Sequence, residues 1–223
     1  MILKITRESL LDGTLRAYRQ SQEMLSPGDT PQRTEAQMNA LLEASLASHD
    51  PAQDLWVFGY GSLIWNPAFE HVECRPALLR GWHRRFCLKM FMGRGTRETP
   101  GLVLGLDRGG ACKGVAFRIQ APMVRQELGI LWQREMYGGA YNARWVRLRA
   151  GEECFPALTF VINPAHPRYV KELSVAETAA MIAAATGDLG TCREYLENTL
   201  AHLRQLGLRD AGLSRIAAAL PNP

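Results

Sequence analysis

Leu55-Trp56-Val57-Phe58-Gly59-Tyr60-Gly61-Ser62-Leu63-Ile64-Trp65-Asn66-Pro67 is the stretch on which the reading of this chain turns. Its first four residues are apolar and mostly β-branched or aromatic, which predicts a short buried strand. Two glycines one residue apart follow, and the segment stops at Asn-Pro, so a sharp turn leaves the strand. Glycine lets a backbone approach a ligand with its N–H groups bare, which suits a carboxylate or an amino-acid head group. A tight turn that binds nothing fits the same letters.

Three familiar glycine-loop motifs do not fit. The dinucleotide fingerprint G-x-G-x-x-G fails because Ile64 stands in the sixth position. The phosphate loop G-x-x-x-x-G-K-[ST] is absent. A nucleophile elbow needs G-x-S-x-G, whereas Ser62 follows Gly61 directly and is trailed by Leu63 and Ile64.

Upstream, residues 6–25 read as one amphipathic helix with Leu11, Leu15 and Tyr18 on a stripe and Thr6 as its cap. Ser26-Pro27-Gly28-Asp29 and Pro31 interrupt the pattern. Thr34 with Gln37 then forms a capping box for a second helix, which carries Met38, Leu41, Leu42 and Leu46 and ends near His49-Asp50-Pro51. Residues 1–52 are expected to be a helical extension packed on a domain spanning 53–223.

Downstream the chain turns β-rich. Phe86 to Phe91 alternate as a strand, and Leu102 to Asp107 and Cys112 to Ile119 flank Arg108-Gly109-Gly110 in the manner of a hairpin. Between them Gly93 to Gly101 is a polar loop that borders a pocket or simply lies on the surface. Residues 122–137 form the clearest helix, with Pro122 in its first turn. Strands are predicted over 144–149 and 155–162. Ser174 with Glu177, and Thr191 with Glu194, cap two further helices that stop at Gly187 and Gly207, and a last helix covers about 210–220. Hairpin strands with inserted and appended helices imply an α+β fold with a mainly antiparallel sheet.

One carboxylate is out of place. In the helix 122–137 the apolar stripe is Val124, Leu128, Leu131 and Trp132. At about 100° per residue, Glu135 falls about 40° from Leu131 and about 20° from Leu128 and Val124, in the middle of that stripe. Glu127 and Arg134 fall off it, where a charge is cheap. A charged residue is rarely buried without a partner. Glu135 therefore either escapes to solvent or an arginine at the helix end, or is a carboxylate in a low-dielectric pocket with a raised pKa, suited to general-base work.

At 223 residues, 47% apolar and 22% charged, the chain can build a sizeable core. Its net charge of +4 is dispersed, and the densest basic cluster, His83-Arg84-Arg85, alternates with apolar residues as a strand face or pocket wall. No nucleic-acid partner is expected. The 5 cysteines make no C-x-x-C pair and no metal spacing with the 5 histidines, so reduced thiols, a cytoplasmic location and no metal are expected. The N-terminus has no apolar signal region, and no run nears the ~18 apolar residues of a membrane span.

The loop Phe58 to Pro67 resembles the signature of the ChaC family, the glutathione-specific γ-glutamylcyclotransferases. Further similar blocks follow in order: Gly81-Trp82-His83-Arg84-Arg85-Phe86-Cys87, Gly93-Arg94-Gly95-Thr96, Gly114-Val115-Ala116-Phe117, Leu131-Trp132-Gln133-Arg134-Glu135-Met136 and Gly190-Thr191-Cys192-Arg193-Glu194-Tyr195-Leu196. The resemblance implies that the sheet closes into a small barrel flanked by helices. It implies that Glu135 is the catalytic acid–base, that Gly59, Tyr60, Gly61, Ser62, Leu63 and Ile64 bind substrate, and that Tyr195 lines the pocket. It implies a small-molecule substrate, glutathione, acted on without cofactor, metal or membrane by a monomer. Where many relatives have Arg after Pro100-Gly101, this chain has Leu102.

Overall fold

The computed structural model describes residues 4–25 and 32–221; the interruption expected at 26–31 lies outside them. Five strands, β1 (Leu55–Gly59), β2 (Glu73–Met90), β3 (Gly101–Ile119), β4 (Tyr141–Ala150) and β5 (Glu153–Ile162), close into a barrel in the order β1-β3-β2-β4-β5. All pairings are antiparallel except the seam, where Val57 of β1 meets Leu158 of β5 in parallel. The expected closed, mainly antiparallel α+β barrel is what the chain forms.

Strand β1 is apolar throughout because both of its faces are covered. Phe58 joins the barrel interior with Leu79, Leu104 and Leu106, while Val57 and Leu55 face an outer layer with Phe117, Leu128 and Trp132. The helices α5 (Val175–Ala184), α6 (Cys192–Gln205) and α7 (Ala211–Ala218) close the inner cluster through Ile182, Leu196, Leu203 and Leu213. Ser174, Thr191 and Asp210 cap them, each accepting a backbone N–H.

The hairpin expected around Arg108-Gly109-Gly110 does not form. Leu102–Asp107 and Cys112–Ile119 are halves of one 19-residue strand, β3, which stays paired to β2 across that point. Gly109 and Gly110 take φ of +102° and +64°, and the register slips between Arg80 and Trp82. These glycines bend a long strand around the barrel, and the true β2–β3 turn is the polar segment 91–100.

The first 25 residues also differ from a single helix. The chain breaks at Gly13, φ +82°, between α1 (Arg7–Leu11) and α2 (Thr14–Leu25). Thr6 caps α1, and Thr34 with Gln37 caps α3 (Glu35–Leu46) as expected. Leu10 and Leu15 pack on Ile130, and Met38 and Leu42 join the outer layer. Among the described residues, no helix is long and apolar enough to cross a membrane.

Candidate functional site

Beyond Gly59 the backbone turns through one 3₁₀ turn, Ser62–Ile64, closed by Asn66 N–H donating to the Ser62 carbonyl at 2.8 Å. The two glycines are there for want of room. A Cβ on Gly59 would lie 3.0 Å from both Leu63 Cβ and Phe117 Cε2, and one on Gly61 would lie 3.0 Å from Tyr195 Oη. Tyr60 is buried and donates its hydroxyl to the Phe160 carbonyl at 2.7 Å. Buried Arg84 donates to the Tyr60 carbonyl at 2.6 Å and pairs with Asp210 at 2.8 Å, which fixes the loop from behind.

The opposite wall comes from the helix predicted over 122–137. Its regular part, α4, is Val124–Leu131, and the next turn, Trp132–Met136, is π-helical. A π turn is wider than an α turn, so each residue advances the side chain by less than 100°. Arg134 therefore faces inward beside Glu135, and the expectation that it lies where a charge is cheap is overturned: it is 7% exposed. Its guanidinium is engaged on three sides, by Glu135 Oε1 at 2.9 Å, by Ser62 Oγ at 2.8 Å and by the Asn66 carbonyl.

The same expectation fails for Glu127, which is fully buried. Both of its oxygens accept from Arg7, and one also accepts the Glu70 N–H at 2.8 Å. Burial alone would raise its pKa, yet Arg7 and the Glu70 N–H hold it below the usual range. Periodicity within one helix cannot show a partner contributed by a distant segment.

Glu135 keeps 14% of its side chain exposed, toward a chamber of about 620 Å³. Ser62, Arg94, Arg134, Tyr141 and Tyr195 share its wall. A second cavity of about 130 Å³ is lined by the same Arg134, Glu135 and Tyr141. Burial pushes the Glu135 carboxyl above its ordinary value; Arg134 and the charge of Arg19 oppose the shift without cancelling it. Burial also pushes Tyr195 up to about 12 and Tyr60 and Tyr141 well above their ordinary values, so all three phenols stay protonated near neutral pH.

The structure thus brings together three of the residues singled out by sequence, Glu135, Ser62 and Tyr195. Gly59, Tyr60, Gly61, Leu63 and Ile64 shape the turn that presents Ser62. Tyr195 sits in the second turn of α6, its ring 6.1 Å from Trp65. Sequence reasoning missed Arg134, Tyr141 and Arg19. It had only the loop around Arg94, whose guanidinium donates to the Thr191 carbonyl at 2.7 Å and lies 5.5 Å from the Tyr195 ring. Arg85 takes a structural place, held by Asp107, the Tyr169 hydroxyl and the Val170 carbonyl. Leu102 is fully buried with its N–H on Cys192 Sγ. Among the described residues, no three His, Cys, Asp or Glu side chains are grouped to hold a metal ion.

Chemically, the site offers a carboxylate whose proton affinity is raised, a fixed guanidinium, neutral hydroxyl donors and the N–H groups of a tight turn. A 3₁₀ turn leaves its first donors without internal partners, and here those belong to the Ser62 end.

Residues 55–221 match a family model described as ChaC-like protein. The Escherichia coli (strain K12) protein named glutathione-specific gamma-glutamylcyclotransferase is 41% identical over 185 residues, 82% of this chain and 80% of that one. The Homo sapiens glutathione-specific gamma-glutamylcyclotransferase 1 is 36% identical over 152 residues, 66% of this chain and 68% of that one. A crystal structure of the yeast γ-glutamyl cyclotransferase specific to glutathione aligns with a TM-score of 0.68 at 21% identity, over 75% of this chain and 96% of that chain. That likeness speaks to the fold.

Proposed function

The chain belongs to the ChaC-like protein family, and from that premise we propose that it is a glutathione-specific γ-glutamylcyclotransferase with Glu135 as its acid–base group. The reaction converts glutathione to 5-oxoproline and Cys-Gly. The observation that carries the reading is the Arg134 bridge, in which one guanidinium spans the Glu135 carboxylate and the Ser62 hydroxyl of the glycine loop. Base and loop lie within one side chain's reach of each other and face one chamber.

Nucleophile and electrophile belong to the same substrate molecule, so the protein need only fold it and move a proton. The γ-glutamyl ammonium gives up one proton to solvent, and the neutral amine pairs with Glu135, which takes a second proton from it as it attacks the γ-carbonyl carbon. The new C–N bond closes a five-membered lactam. The bond to the cysteine nitrogen then breaks, and Glu135 returns the proton to that departing amine. Orientation of the bent substrate is worth several powers of ten, and proton transfer by a positioned carboxylate roughly 10²–10⁴-fold.

The turn N–H groups at Ser62 and the Tyr195 hydroxyl are suited to the α-carboxylate and the developing oxyanion. Lys4, Arg19, Arg94 and Arg134 stand against Glu135 and Glu194 on the chamber wall. That excess of positive charge favours a substrate with two carboxylates over a γ-glutamylamine, which has one.

The test is direct. Incubation with glutathione yields 5-oxoproline and free Cys-Gly, and Glu135→Gln loses nearly all turnover while melting as a folded protein. Turnover of γ-Glu-Ala without glutathione would redirect the assignment to other γ-glutamyl compounds. Substantial activity in Glu135→Gln would remove the role given to that residue.

A further inference from the structure

We propose that Arg19, contributed by α2 of the N-terminal extension, is a positioning residue for the Glu135 carboxylate, holding the π turn by its carbonyls and setting the charge around the acid. This rests on the acid–base role of Glu135. The family match begins at residue 55, so Arg19 reaches the site from outside the matched segment.

Arg19 spreads its fork over two consecutive carbonyls, Gln133 at 2.6 Å and Arg134 at 3.0 Å, which immediately precede Glu135. Carbonyls at the end of a helical segment lack internal partners, and one guanidinium here satisfies two of them. Arg33, also from the extension, takes the Met136 carbonyl, two residues further along, at 2.7 Å. The Arg19 guanidinium lies 5.4 Å over the Tyr137 ring and borders both cavities around Glu135.

Among the described residues, Arg19 has no carboxylate at ion-pair distance, yet it is half-buried, where its charge costs more than in water. Burial draws its pKa down to about 10, so it remains charged near neutrality. Glu135 is the carboxylate that feels it. The other charged and titratable groups around Glu135 are Arg134 from its own turn, Tyr60 from the loop, Tyr141 from β4 and Tyr195 and Glu194 from α6, with Arg94 and Lys4 on the same chamber wall, and Arg168 adjoins Arg19. Tyr60, Tyr141 and Tyr195 are neutral near pH 7, so Arg19 and Arg134 are the charges that counter the burial of the acid.

The experiment compares Arg19→Gln, Arg19→Lys and, three residues earlier on the same helix where the arginine pairs with Glu35 instead, Arg16→Gln. Each is read by kcat, KM and the pH profile of kcat/KM with glutathione, and by ¹³C titration of the Glu135 carboxyl without substrate, assigned with Glu135→Gln. Arg19→Gln should lower kcat roughly tenfold or more with a small change in KM. It should also move both the acid limb and the carboxyl titration about half a pH unit or more upward. Arg19→Lys keeps the charge and so the titration, but its single ammonium cannot fork, and kcat recovers only in part. Arg16→Gln should match the parent.

A parental kcat and titration in Arg19→Gln overturn the proposal. So does a kcat loss with an unmoved titration, which would mean ordinary packing. Should Arg19→Gln fail to fold, full parental kcat in Arg19→Lys overturns it. If the parent does not turn over glutathione, the functional assignment fails, while the carboxyl titration still judges Arg19.

Discussion

At Glu135 burial and two arginines pull in opposite directions, and burial wins. In the proposed role Glu135 must be ionised to accept a proton, so activity should be lost as pH falls through its raised pKa. The acid limb of kcat/KM is accordingly expected above the ordinary carboxylate value of 4.5, and a limb at or below that value would contradict the burial argument. Gly61 offers a second test. Its missing Cβ leaves 3.0 Å to Tyr195 Oη, so Gly61→Ala displaces the hydroxyl and hardly touches the core. A loss of about tenfold in kcat/KM, equivalent to about 1.4 kcal/mol, with little change in melting temperature is the expected outcome of steady-state kinetics beside a thermal melt. That Glu135 is largely buried was legible from sequence because an apolar stripe at about 100° per residue ran through it. Arg134 was not, because the helix changes pitch two residues earlier, at Trp132, and no local letter announces a π turn.

Elements differ in how far local sequence governs them. Thr6, Thr34, Ser174 and Thr191 were read correctly as caps, since each satisfies an N–H only three residues away. Gly109-Gly110 was misread as a turn, because a bulge in a strand that wraps a barrel uses the same positive-φ glycines as a hairpin. The strands that cross this region are tied to the 163–170 segment by Asp107, which accepts from Arg85 at 2.9 Å and from the Tyr169 hydroxyl at 2.8 Å. Burial would raise the Asp107 pKa, but these donors and the Arg108 N–H bring it below its ordinary value. Asp107→Asn should cost about 1.5–3 kcal/mol in urea unfolding at neutral pH. A carboxylate with a lowered folded pKa contributes stability above its unfolded value of 3.8, and loses it as pH falls through the folded value. The gap between parent and variant should therefore close in strong acid, and a gap independent of pH would show that the pairing is not its source.

For the whole molecule, the question is what binds the extension to the barrel. Three of its arginines converge on one stretch: Arg7 on Glu127, Arg19 on the carbonyls of Gln133 and Arg134, and Arg33 on that of Met136. The sequence showed two helices fit to cover a core but gave no sign of this, because each contact joins residues about a hundred positions apart. Glu127 makes the attachment testable. It is fully buried, whereas Arg7 keeps 27% of its side chain in solvent. Removing Arg7 leaves a buried carboxylate without its counter-charge, at a cost of about 3 kcal/mol; removing Glu127 leaves a guanidinium that can turn to water. Arg7→Gln should thus destabilise the chain more than Glu127→Gln does. The double variant should be more stable than Arg7→Gln alone, since the orphaned charge is gone. Denaturant unfolding of the four proteins at neutral pH measures both differences. If the two losses simply add, Glu127 is not held by Arg7, and the extension is joined to the barrel by its apolar contacts instead.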